Sequence, residues 1–201
     1  MVATIIGALL LLVIAGGVLF VMLVWKVYNR LITLRARYRT AYAQIDLQLQ
    51  HRYELVSDLI ETVQPSLPQA RELLAAVTES RHRAAATMER ASSAPGDPQA
   101  MRQIAAAEAQ LTKALIQVLA ALEQSPELQI NQTISTLIEE LRAIDEQLTL
   151  AQQTFNQAIA TYNKERGAFP SNMVASSFNF NPAGQWPIQT NAPMAASSAV
   201  I

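Results

Sequence analysis

The stretch from Lys26 to Gln64 constrains this chain most, because it holds neither glycine nor proline. Apolar or aromatic side chains recur at Val27, Leu31, Leu34, Tyr38, Ala41, Ile45, Leu49, Val56, Leu59 and Val63. Steps of three and four place them in one stripe along an α-helix. The stripe begins on the a and d positions of a heptad frame and ends one position later. That drift is what a nearly straight helix gives, so no tight two-stranded supercoil is required.

The helix needs no new start, because Val2 to Trp25 is a helix candidate of another kind: 24 residues with no charge. As a helix it is roughly 36 Å long, against about 30 Å of bilayer hydrocarbon. The segment is expected to span, with some tilt. No basic n-region precedes it and its apolar run exceeds a signal-peptide core, so a retained anchor is expected rather than a cleaved leader. Trp25 and Tyr28 fall where an aromatic belt meets the interface. Lys26, Arg30, Arg35, Arg37 and Arg39 follow, with no acid before Asp46. The positive-inside rule then puts the N-terminus outside and the C-terminal bulk in the cytoplasm. Lys26, Arg30 and Arg35 are the candidates for anionic head groups; the plainer reading is that the cations only set topology.

Further along, breaker residues mark out helices. Gln64-Pro65 ends the first, since a residue before proline leaves the α region. The second is expected over 68–91, with Pro68 in its first turn and Leu73, Leu74, Val77, Ala84 and Met88 facing inward. Ser92 to Pro98 is a loop in which Asp97 caps a third helix, 98–124, marked by Ile104, Glu108, Leu111, Leu115, Val118 and Leu122. A fourth starts near 128, at Glu127 or Asn131, and runs to Arg166. Its spacing holds through Ile134, Leu137, Leu141, Ile144, Leu148, Ala151, Phe155, Ile159 and Tyr162. Short turns imply antiparallel neighbours. The fold expected is all-α: a transmembrane helix at 1–25, continuous with an antiparallel four-helix up-down bundle over 26–166. The first helix, roughly 95 Å long, is then membrane stalk and bundle wall at once.

From Gly167 to Ile201 no residue is charged, yet Phe169, Phe178, Phe180, Trp186 and Ile188 lie there. A solvated tail carries more charge and fewer aromatics. Residues 167 to about 186 are therefore expected to pack on the bundle, a second subunit or the membrane surface, with a loose end from about Thr190. Phe169, Phe178, Phe180 and Trp186 are the candidates for self-association.

Val27-Tyr28-Asn29-Arg30-Leu31, Leu34-Arg35, Ala43-Gln44-Ile45-Asp46-Leu47-Gln48-Leu49, Arg52-Tyr53-Glu54-Leu55-Val56 and Leu59-Ile60-Glu61-Thr62-Val63 form one block. Glu123-Gln124-Ser125-Pro126-Glu127-Leu128 forms a second. Phe155-Asn156, Tyr162-Asn163 and Phe169-Pro170-Ser171-Asn172 form a third. Together they resemble the LemA family of membrane-anchored bacterial helical proteins, over about residues 5 to 180. The chain departs from the pattern at Tyr42, where tryptophan is common, at Pro65, and in a tail without the usual aromatic-acid ending. The resemblance implies a single-span anchor in the bacterial inner membrane, an antiparallel bundle and no agreed biochemical activity. One member of the family is tied to a membrane organelle.

Composition narrows the chemistry. Aromatics at 6% and abundant Ala, Leu and Gln fit packed helices better than a β-sandwich. A net charge of −1 gives no field for nucleic acid, so no nucleic-acid partner is expected. The absence of Cys excludes disulfides, Cys-ligated zinc, iron–sulfur clusters and thiol catalysis. Glu79-Ser80-Arg81-His82 is a single Glu-x-x-His, where a di-metal carboxylate bundle needs two. His82 reads as a structural or surface residue, His51 as solvated or capped by a carboxylate, and Glu54, Asp58 and Glu61 as a solvated face. Asn29, Asp46 and Arg52 lie near the apolar seam, where polar residues can fix register. No metal, cofactor or enzymatic constellation is expected. The reading favoured is a homo-oligomeric protein that organises or shapes a membrane patch. The alternative is an adaptor presenting a groove to another membrane protein, such as a protease or transporter.

Overall fold

The computed structural model describes residues 1–65, 70–125 and 131–187, with backbone alone for 2–5 and 8. It holds α1 (Val2–Val63), α2 (Arg71–Ser93), α3 (Pro98–Glu123), α4 (Gln132–Gly167) and a short α5 (Ser171–Ser177). No strand occurs among the described residues. Pro68, the Glu127 start, Ile188 and the end from Thr190 lie outside them.

Local chemistry sets the boundaries. The Asp97 carboxylate accepts from the amides of Gln99 and Ala100, at 3.0 and 2.8 Å, with Pro98 in the first turn. Asn131 accepts likewise from Thr133 and Ile134, so α4 begins at the later of its two candidate starts. The seven residues of α5 carry too short a pattern to register as a helix in the sequence.

One unbroken helix of 62 residues joins the apolar N-terminal segment to the core, a length of about 93 Å. Over Ile6 to Trp25 its large side chains are exposed, Val24 apart; from Leu31 one face is buried. Leu31, Leu34, Ile45, Leu49, Val56, Leu59 and Val63 are all at most 1% exposed, each contributing about 1.5–3 kcal/mol by burial. The stripe passes through Tyr42 and not Ala41: Tyr42 is 2% exposed and Ala41 only half-buried.

α4 lies along α1. Tyr38 meets Tyr162 at a centroid distance of 5.3 Å, Tyr42 meets Phe155 at 5.7 Å, and Arg52 reaches Asp145. These edge-to-face pairs each add about 0.5–1.5 kcal/mol to burial. α2 packs on α3 and on α1, where Ser92 Oγ donates to Asp46. α3 is itself long and apolar enough to cross a membrane. Its Met101, Ile104, Leu111, Leu115, Val118 and Leu122 are instead buried in the core.

Residues 178–187 then turn back along α4. Arg166 Nε donates to the Phe180 carbonyl, Tyr162 Oη to that of Asn181, and Asn163 Nδ2 to that of Ala183. Asn156 exchanges two hydrogen bonds with the Trp186 backbone, at 2.9 and 2.7 Å. Gly184 N–H donates to the Gly96 carbonyl at 2.7 Å, tying this segment to the α2–α3 turn. A Cβ on Gly184 would stand 2.5 Å from Pro98 Cα, so only glycine fits.

Candidate membrane interface

Two regions carry polar or amphipathic chemistry: the junction where α1 leaves its apolar segment, and a buried charge cluster further along it.

At the junction, Trp25 is 66% exposed and Tyr28 is half-buried beneath the C-terminal segment. The Tyr28 ring meets Phe178 at 5.0 Å and Phe180 at 5.6 Å, both edge-to-face. Lys26, Arg30 and Arg35 are exposed, as are Arg37 and Arg39. Lys26 and Arg30 share a face. Tyr28 lies two positions from each, so about 160–200° round the helix at 100° per residue. Lys26 and Arg30 therefore take one flank of α1 and the aromatic cluster the other, while Arg35, seven positions beyond Tyr28, returns to the Tyr28 side further along the helix.

The four tail aromatics divide. Phe180 and Trp186 are 5% and 4% exposed within the chain's own core, whereas Phe169 and Phe178 are 81% and 52% exposed. The first two are occupied intramolecularly; Phe178 packs on Tyr28 with half its surface left exposed, and Phe169 stands almost wholly exposed.

The buried cluster was only partly legible. Arg52 Nη1 donates to Glu108 Oε2 at 2.6 Å, and Nη2 to Thr112 Oγ1 at 2.9 Å. Its Nε lies 3.1 Å from Asp145 Oδ1, and Tyr53 Oη donates to the other oxygen of Glu108. The guanidinium thus links α1, α3 and α4 with 2% of Arg52 exposed. Burial raises the Glu108 carboxyl above its ordinary value; the Arg52 charge and the Tyr53 hydroxyl oppose it only in part. Asp145 shifts the same way for the same reason. Two carboxylates share one guanidinium in an apolar surround, so neither is fully compensated. Burial also pushes the Tyr42 hydroxyl up to about 12. Sequence reasoning set Glu108 in the α3 stripe and Arg52 near the seam. Their partnership, 56 residues apart, left no sequence signal.

The other sequence candidates are dispersed. His51 and His82 are exposed, and Glu79 pairs with Arg83 at 2.8 Å. Glu54, Asp58 and Glu61 are exposed, as is Asn29, while Asp46 accepts from Ser92 and Gln50. Among the described residues no group of three His, Cys, Asp or Glu is placed to hold a metal ion.

Fold and junction together define an all-helical protein with an N-terminal apolar helix long enough to cross a membrane. The chain belongs to the LemA family, whose family model matches residues 41–198. The apolar segment lies ahead of that region, which takes in the core helices and the C-terminal segment. No curated protein matches the chain.

Proposed function

We propose that this is a non-enzymatic, single-span protein of the bacterial inner membrane. In this reading a cytoplasmic antiparallel up-down bundle self-associates to organise or shape a membrane patch. The carrying observation is that α1 runs unbroken from an all-apolar segment into the centre of the core. Contacts between bundles then set the spacing and tilt of the spans they continue into. The register of contacts supports the up-down arrangement. Along α1, the positions Tyr38, Tyr42 and Arg52 meet Tyr162, Phe155 and Asp145 in descending order. Gly7, Gly16 and Gly17 carry no side chain, which lets a neighbouring span approach closely. The buried cluster supports a structural role, because both Glu108 oxygens are held by protein groups. Lys26, Arg30 and Arg35 attract anionic head groups, an effect that weakens with salt.

The adaptor reading has one observation of its own. A cleft lies between the end of α1 and the start of α2, lined by Ile60, Glu61, Gln64, Arg71, Leu74 and Thr78 among others. Light scattering on the full-length protein in mild detergent separates the two readings. Self-association gives a protein mass several times the 22.0 kDa chain. A monomer at working concentration, with a discrete cross-linked complex to another membrane protein, rejects it for the adaptor. Cysteine labelling from each side fixes topology without native background, since the chain has no Cys; Ser93→Cys is expected to react only from the cytoplasmic face.

A further inference from the structure

The segment from Gly167 to Pro187 carries no charge. Its helix α5 packs on α1 and α4, with Ser171, Val174 and Ala175 buried beneath it. On the outside it leaves Phe169, Met173 and Phe178 exposed by 81, 60 and 52%. Three large apolar side chains left exposed within ten uncharged residues are unfavourable in water, and one of them, Phe178, packs on Tyr28 of α1. Its position says what covers it. Phe178 lines a groove with Phe20, Val21, Val24, Trp25 and Tyr28. Phe20 is two turns before Tyr28, about 12 Å along the axis. Phe178 therefore stands beside the last turns of the charge-free segment, where lipid begins. The juxtamembrane cations Lys26 and Arg30 lie on the other flank of α1 from Tyr28, the ring that Phe178 packs against.

We propose that Phe169, Met173 and Phe178 form an interfacial collar that enters the acyl-chain boundary of the same bilayer that α1 crosses. The collar gives the chain a second attachment beside its span. Two attachments on different elements fix the rotation of the bundle about the α1 axis, which a single continuous span leaves free. The inference rests on α1 being a membrane span and goes beyond it.

The test uses the full-length chain in phosphatidylcholine–phosphatidylglycerol vesicles carrying a doxyl quencher near the top of the acyl chain. A polarity-sensitive fluorophore is placed on single cysteines. Phe169→Cys and Met173→Cys sit at exposed positions and leave the core intact. Val18→Cys reports the span, and Asp58→Cys, exposed far along α1, reports water. Labels at 169, 173 and 18 are expected to shift to the blue and lose most of their emission to the quencher, while the label at 58 keeps its own. Quenching at 18 without quenching at 169 and 173 overturns the collar and leaves the anchor standing. Labels at 169 and 173 that are blue-shifted but unquenched, and that turn red when diluted with unlabelled protein-free vesicles, reassign the patch to a second copy and also overturn it. Loss of quenching at 18 removes the anchor, and the collar with it.

Discussion

Arg52 sits between Glu108 and Asp145 with almost no access to water. Pairing in such a place offsets desolvation without much surplus, whereas losing one partner strands the rest. Arg52→Ala is therefore expected to cost about 3–5 kcal/mol in chemical denaturation. Replacing the set together, as Arg52→Met, Glu108→Leu, Asp145→Leu and Tyr53→Phe, is expected to recover most of that loss. If the combined variant is as unstable as Arg52→Ala, the cluster contributes net stability and not register. A pH dependence follows from the same site. The folded-state value of Glu108 lies above its ordinary 4.5. Below 4.5 native and unfolded chains both hold the proton. Above it the unfolded chain releases the proton first, so stability falls as pH rises from 4.5 to the folded value. Asp145 adds a slope of the same sign from 3.8 upward. Thermal midpoints across this range are expected to fall with pH in the native chain and to fall less steeply in Glu108→Gln. The sequence hinted at this cluster only through Glu108 inside an apolar stripe and Arg52 near the seam of α1, because pairing across helices is decided by packing that no local spacing encodes.

At the scale of elements, the long helices were readable because eight or more turns of three/four spacing leave few alternatives. Caps helped too, since Asp97 before Pro98 is a start signal with a mechanism. Asp97→Ala is expected to cost about 1 kcal/mol, through two amides left without their acceptor. That residues 167 to about 186 pack on something was readable from their uncharged aromatics, but the docking of 178–187 on α4 was not. It is made by Asn156, Asn163 and Arg166 side chains reaching backbone carbonyls, and such contacts show no periodicity. Two glycines hold its far end. Gly96 takes φ +86°, with the Tyr38 ring 2.9 Å from where a Cβ would be, and Gly184 abuts Pro98. Because Gly184→Ala meets backbone, this segment is expected to lift from the α2–α3 turn. With Trp25→Phe as background, Trp186 becomes the only tryptophan and reports the change. Its emission is expected to shift to the red in Gly184→Ala. An unshifted spectrum would mean that the Asn156 pair holds Trp186 without help from the turn.

For the whole molecule, the question is what a rigid junction does that a flexible one does not. A tether fixes only the distance between bundle and bilayer; a continuous helix transmits angle as well. α1 has no glycine or proline from Val18 to Val63 and is helical throughout, so bending it sharply means breaking backbone hydrogen bonds. If bundle contacts are to set the tilt of the spans, the junction must carry that angle. Inserting Gly-Ser-Gly-Ser between Lys26 and Val27 leaves the apolar segment and the core sequences untouched while removing the stiffness. Polarised infrared dichroism of the amide I band in oriented bilayers reads the outcome. The native chain is expected to show strong alignment of helices along the membrane normal, because α1 and the helices packed along it share one axis. The insertion is expected to lower the alignment towards that of the span alone, with helix content by circular dichroism unchanged. Assembly should suffer with it: bundles that still associate would no longer impose one tilt on their spans, and the particles should become smaller or more heterogeneous. If alignment and particle mass both survive the insertion, stiffness at the junction is not what couples the two halves. The collar around Phe178 would then have to hold the bundle upright by itself.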